Sequence, residues 1–325
     1  MNHEVEKSDG ERRLPHLPVS IFSTIMGLSG FTIAWQRAHA IFGVTDWLWK
    51  ILASVTAAGF LLLLIAYGMK LARHFPQVVA EWKHPVRVSF FPTISISFLL
   101  MGLVCLETWP SVSYCLWLCG TLLHFAFTLA ILGSWMHHTH YDIKHAHPGW
   151  FIPVVGNLFV PICALHFGLP EVGWFFFSIG IVFWVVMMTI VLYRIFFHDP
   201  VPPKLLPTLF ILIAPPAVGF IAYSALIPGI DAFARVLYYT GLFMTLLLGM
   251  SIRRFMKCGF YISSWAYSFP LAAITIASFL MGKRSGSAFF DGLAFVLLCI
   301  LSVLIGVLLW KTLNAAGRKA ICVPE

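Results

Sequence analysis

The stretch Pro92-Thr93-Ile94-Ser95-Ile96-Ser97-Phe98-Leu99-Leu100-Met101-Gly102 opens on a proline and then runs without a charge. The chain repeats this arrangement four more times, as PVSIFSTIMGLSG (18–30), PVVGNLFVPICA (153–164), PTLFILIAPPAVG (207–219) and PLAAITIASFLMG (270–282). The leading prolines, Pro18, Pro92, Pro153, Pro207 and Pro270, stand 74, 61, 54 and 63 residues apart, about one helical hairpin each. An internal repeat on this scale sets the architecture. The residue before each proline is large and apolar: Leu17, Phe91, Ile152, Leu206 and Phe269. Proline inside a soluble helix costs about 3 kcal/mol, whereas in a membrane neighbouring helices re-satisfy the freed backbone groups. The expected design is a ring of proline-kinked helices enclosing an axis.

Composition places that ring in a bilayer. Of 325 residues, 60% are hydrophobic and 10% charged, with mean hydropathy +0.89, while a soluble surface wants about 25–35% charged residues. Aromatics reach 16%, including 30 Phe and 12 Trp, which suits interfacial belts and packing within the bundle. The net charge of +8 is divided among short loops with no continuous basic face, which argues against a nucleic-acid partner. Seven cysteines lie mostly in apolar stretches and none forms CxxC; Cys115 and Cys119, one turn apart, read as small core residues rather than a metal site. The polar N-terminus lacks the order of a cleavable signal and is expected to stay in the cytoplasm, with the first span as insertion signal.

Apolar runs of about 20 residues predict ten helices near 18–38, 47–71, 90–107, 112–136, 150–168, 171–196, 205–224, 230–255, 262–281 and 289–313. They pair as five hairpins, the proline-led member first. No linker or soluble domain interrupts them, so residues 18–313 are expected to form one transmembrane domain between cytoplasmic segments 1–17 and 314–325. Of the 21 Lys and Arg, 16 fall on the side of the N-terminus and 5 (Arg37, Lys50, Arg235, Lys283 and Arg284) on the other. The positive-inside rule therefore puts both termini in the cytoplasm.

Away from their ends, the ten spans contain no Asp, Glu, Lys or Arg. Intramembrane charges usually mark proton relays or ion-coupling sites, so their absence favours a passive pore over a pump, although a carrier can couple through backbone carbonyls at broken helices. The proline-led segments mix apolar residues with Ser, Thr, Asn and Gly. Any single hydroxyl or glycine there reads as helix packing; the five segments together read as the lining of a shared axis.

Two further motifs are Val154-Val155-Gly156-Asn157 and Ser264-Trp265-Ala266-Tyr267-Ser268-Phe269-Pro270. They resemble the VVGN and WWAY-[ST]-FP signatures of the plant slow-type anion channels and the bacterial tellurite-resistance TehA proteins, a family that includes malate-transporter relatives. The second departs from the pattern in having Ser264 before Trp265. The resemblance implies an all-α fold of ten transmembrane helices, arranged as five hairpins with quasi-fivefold symmetry about a central pore, and a homotrimer. It also implies an occluding phenylalanine on the ninth helix, which the match puts at Phe269. Physics suits that role, because an apolar constriction raises the cost of dehydrating an ion. Phe91, before the proline of the second repeat, is the secondary gate candidate.

The histidine-rich loop 137–147 carries five His and an Asp within eleven residues. Imidazole is a favoured metal ligand, yet no recognised ligand spacing appears, so a solvated loop that charges as pH falls, able to tune a pH response, is the preferred reading over metal. Lys283 and Arg284, past the ninth helix, fit equally a tolerated loop or a pore mouth that concentrates anions. No nucleophile with a base, phosphate loop or carboxylate pair suggests an enzyme, and no cofactor is expected. The expected function is a passive channel for small monovalent inorganic anions such as chloride or nitrate, in contact with membrane lipid in a bacterial inner membrane, with a link to tellurite resistance. The alternative is a carrier of anions such as malate, sulfite or tellurite-derived species. A membrane scaffold or sensor without transport is the third class.

Overall fold

Each helix of the repeat begins near its proline. The computed structural model describes residues 13–137 and 141–322, and among them every regular element is helical. Nine are long and apolar enough to cross a bilayer: α1 (Val19–Phe42), α2 (Trp47–Arg73), α3 (Arg87–Cys105), α4 (Pro110–His137), α6 (Pro170–Phe197), α7 (Pro203–Leu226), α8 (Ala232–Met250), α9 (Ile262–Ser285) and α10 (Ala288–Gly317). The remaining expected span, α5 (Pro148–Ala164), is shorter, at 17 residues. It is two α-helical pieces, Phe151–Val155 and Val160–Ala164, joined by a 3-10 turn at Gly156–Phe159. Pro153 and Pro161 explain the break, since neither can donate to a helical ladder.

The prolines do not kink continuous α-helices in the way expected. Pro18 is extended (ψ 143°) and leads into a 3-10 turn at Val19–Phe22. Pro92 is the first residue of the α-helix Pro92–Cys105, just past a 3-10 turn at Arg87–Phe90. Pro207 lies within the 3-10 run Pro203–Ile213, and Pro270 is the third residue of Ser268–Ser285, after the 3-10 turn Ile262–Tyr267. The first turn of a helix has unpaired N–H groups in any case, so a proline such as Pro92 there forfeits little, whereas Pro207, inside its 3-10 run, leaves that run one donor short. Every odd-numbered helix thus contains tighter 3-10 backbone near its leading proline.

Burial separates the two halves of the hairpins. In α1, α3, α7 and α9, 67–89% of the most apolar window is buried, against 22–33% in the even helices. Each odd helix packs on the even helix that follows and on the next odd helix, and α9 packs back on α1, which closes a five-membered inner ring. Polar bonds tie the layers: Ser113 Oγ donates to the Gly102 carbonyl at 2.7 Å, Trp117 Nε1 to Val160 at 3.0 Å and Trp265 Nε1 to Thr312 Oγ1 at 2.9 Å. Such bonds count where no water competes. The even helices expose Leu62, Phe196, Val303 and Leu313 outward, a surface suited to lipid. The chain is a polytopic all-α membrane protein.

Candidate functional site

All five odd helices contribute to one apolar cavity of about 60 Å³ on the ring axis, including Met26, Ile96, Val155, Phe159, Val218 and Phe269. Phe269 is 7% exposed, and its ring meets Phe159 edge-on at 5.3 Å between centroids. Across from it stands Gly30 of α1; a Cβ there would lie 3.2 Å from the Phe269 ring and 2.8 Å from Ala272 Cβ. The missing side chains at Gly27, where a Cβ would meet Ser268 Oγ at 2.1 Å, and at Gly30 let α1 approach α9, and Gly30 leaves the Phe269 ring its place.

Deeper hydroxyls that do not line the cavity bond their own helix, as Ser97 does to Thr93 O, Thr275 to Leu271 O and Ser278 to Ile274 O. This back-bonding satisfies them without solvent. The hydroxyls that reach the cavity, Ser20, Ser23, Thr93 and Ser263, belong to the opening turns.

Towards the side of the N-terminus, the axis widens into a second cavity of about 830 Å³. The two share Ser20, Phe90 and Ser263 as a neck. Lys70, Arg87, Lys204, His16 and His84 line the larger chamber together with Glu81. Behind the neck, the buried His147 ring stacks on Phe90 at 5.7 Å, and its Nδ1 accepts the Gly149 N–H at 3.0 Å. Burial pushes His147 down to about 4, against the pull of the Val86 carbonyl and aided by the charges of Arg194 and His145.

Of the residues that precede the prolines, Ile152 and Phe269 line the small cavity, as does Pro270. Leu17 and Pro18 line the vestibule. Phe91 lines neither; it packs edge-on against Trp82 at 4.9 Å and near Tyr67 and Phe127. Its neighbour Phe90 is the ring at the neck. Adjacent helical residues point about a quarter-turn or more apart, so one of the Phe90-Phe91 pair must face away from the axis, and proximity to proline does not say which. Pro92, Pro153 and Pro207 shape their helices without lining either chamber.

Lys283 is exposed, whereas Arg284 reaches back to the end of α7. Its guanidinium donates to the carbonyls of Ile227 (3.0 Å), Gly229 (2.6 Å) and Ser224. Ser224 is among the acceptors a helix C-terminus leaves open, and Ile227 and Gly229 follow that end directly, so Arg284 fastens α9 to the α7 terminus. In the histidine cluster, residues 138–140 lie outside the described residues; among the described ones no group of three His, Cys, Asp or Glu could hold a metal.

The two motifs have visible structural work. Gly156 leaves room for the buried His124 ring, which a Cβ would meet at 2.2 Å. Asn157 Nδ2 donates to Thr128 Oγ1 at 3.1 Å and Thr128 to the Pro153 carbonyl at 2.8 Å, tying broken α5 to α4. Ser264 accepts the Tyr261 N–H at 3.2 Å and so closes the opening turn of α9.

A protein-family model described as SLAC1, voltage-dependent anion channel, matches residues 16–313. The chain is 28% identical over 275 residues to the S-type anion channel SLAH2 of Arabidopsis thaliana, covering 82% of this chain and 52% of that one. It is 27% identical over 279 residues to the tellurite resistance protein TehA homolog of Haemophilus influenzae, covering 85% and 82%. To the guard cell S-type anion channel SLAC1 of Arabidopsis thaliana it is 24% identical over 326 residues, covering 92% and 57%. The chain spans about half the length of the plant relatives it matches.

Proposed function

The chain belongs to the SLAC1 family of voltage-dependent anion channels, and on that premise we propose that it forms a passive pore for small monovalent anions such as chloride and nitrate, closed by Phe269. The observation that carries this reading is the small apolar cavity bounded by Phe269 where all five odd helices meet. A small cavity with apolar walls stays dry, and an ion entering it must shed water with nothing in return, which is how hydrophobic constrictions gate. Arg87 and Lys204 put positive charge at the vestibule, which raises the local concentration of anions over cations. The family is one of channels and transporters, not enzymes.

Planar-bilayer recording of wild type and Phe269→Ala in chloride, nitrate and tellurite tests the proposal, the last because of the name borne by the Haemophilus relative. The variant is expected to pass the larger anion current. Equal currents would refute the gate, and saturable, proton-coupled uptake in vesicles would replace the channel with a carrier of malate, sulfite or tellurite-derived anions. We further propose a homotrimer in a bacterial inner membrane with both termini cytoplasmic, supported by the apolar surface of the even helices and by the loop charges. Cross-linking in native membranes reads the first, and protease accessibility of the termini the second.

A further inference from the structure

Two charged side chains at the vestibule are buried. Lys70, at the end of α2, is 3% exposed, and Glu81, on the linker helix Phe75–Lys83, is 4% exposed; Lys70 Nζ lies 2.7 Å from Glu81 Oε2. Their remaining bonds converge on the residues around Pro18. Lys70 Nζ also donates to the Leu17 carbonyl at 2.7 Å, while Glu81 Oε1 accepts the Val19 N–H at 2.7 Å. The Tyr67 hydroxyl adds a bond to Glu81 Oε2 at 3.0 Å. Pro18 has no N–H of its own, and the Val19 N–H, at the start of a helix, has no acceptor within it. Glu81 supplies that acceptor. One residue further, Ser20 lines both chambers at the neck.

A buried ion pair is weak evidence for stability, since apolar replacements often hold a fold as well; here one member holds Leu17 and the other Val19, on either side of Pro18. We propose that the Lys70–Glu81 pair is a latch that positions the opening turn of α1 at the neck and thereby sets how readily an anion passes from the vestibule into the pore. Both are positioning residues that act through Leu17 to Ser20, and the inference rests on the pore reading above.

The test uses the full chain carrying Phe269→Ala. Glu81→Gln leaves the Lys70 charge buried without its counter-charge and is exposed to misfolding. Lys70→Met combined with Glu81→Leu removes both charges and the Val19 acceptor together, leaving no charge uncompensated. A folding defect changes the number of channels, whereas a displaced neck changes the current through each one. The double variant is expected to lose at least two-fold in unitary conductance and to exchange the Val19 amide at least ten-fold faster, read by mass spectrometry on peptides covering 17–22. Exchanging the charges, Lys70→Glu with Glu81→Lys, restores the pair but sets an ammonium against the Val19 N–H and a carboxylate against the Leu17 carbonyl, so it does not rescue. Unchanged unitary conductance in the double variant, unchanged Val19 exchange, or rescue by the exchange of charges each overturns the latch. Silence of the parent Phe269→Ala channel would instead defeat the pore reading, and the Val19 exchange rate would still decide the latch.

Discussion

The two chambers on the ring axis share Ser20, Phe90 and Ser263 and differ in almost everything else. One holds about 60 Å³ walled by apolar side chains, the other about 830 Å³ with lysine, arginine, histidine and glutamate in its walls. The larger can keep an ion hydrated and draw anions by charge; the smaller can do neither. The difference teaches that charge at the mouth and dryness at the constriction are built from different parts. Charge comes from loops and helix ends, and dryness from five packed helices whose hydroxyls mostly bond their own backbone.

The comparison can be broken or sharpened by substitution. The largest effect is expected from Phe269→Ala, which removes the ring bounding the dry chamber; anion current should rise at least ten-fold in bilayers at equal protein load, and a change under two-fold removes Phe269 from the gate.

Phe90 and Phe91 divide the axis from the surrounding bundle. Phe91→Ala deletes a ring packed against Trp82 and should cost about 3–5 kcal/mol of stability, seen as a lowered melting temperature in detergent. Phe90→Ala should alter current in the Phe269→Ala background instead. Reversal of the two phenotypes would mean that the neck is misidentified.

His147 supports the neck from behind and should give a pH dependence. The unfolded chain takes up its proton near 6.5, the folded one only near 4. Below pH 6.5 the unfolded state therefore binds more protons, so this contribution is complete above pH 6.5, declines as pH falls and levels off below about 4. The loss amounts to roughly 3 kcal/mol. Melting temperatures of wild type and His147→Gln between pH 7 and pH 4.5 read it, and parallel pH profiles would refute it.

The smallest effect concerns the far side of the ring. Arg284→Ala removes the charge-assisted bonds to the Ile227, Gly229 and Ser224 carbonyls and should cost about 1–3 kcal/mol without altering the salt dependence of anion current. A clear change in that salt dependence would return Arg284 to the pore mouth.

Much of this was legible before folding. Proline spacing and charge-free runs announced the hairpins, and SWAYSFP singled out Phe269, which does bound the axial cavity. The choice of Phe91 over Phe90 was not legible, because a residue's place beside proline does not set its azimuth on the helix. Nor was the proline geometry, since a proline in an opening turn and one in a helix interior look identical in a run of apolar residues. The Lys70–Glu81 pair escaped for a further reason. Its members lie in loop-end positions where charge is normally solvated, and only the folding of the linker helix onto α2 and the opening turn of α3, with Glu81 meeting Val19, buries them.

The sequence by itself determined that this chain lives in a bilayer and that its helices come in proline-led pairs, and it set the expectation of which way the loops face. These follow from local quantities: hydropathy over about 20 residues, the missing proline N–H and the cost of moving charge across a membrane. Only the tertiary structure decided that Phe90 rather than Phe91 lines the chambers, which hydroxyls line the cavity, that Arg284 fastens α9 to the α7 terminus and that Lys70 and Glu81 hold Pro18 between them. Those depend on the azimuth of each helix about its own axis and on contacts between residues far apart in the chain, 110 positions for Phe159 on Phe269 and 62 for Glu81 on Val19. Local chemistry constrains such meetings without choosing among them.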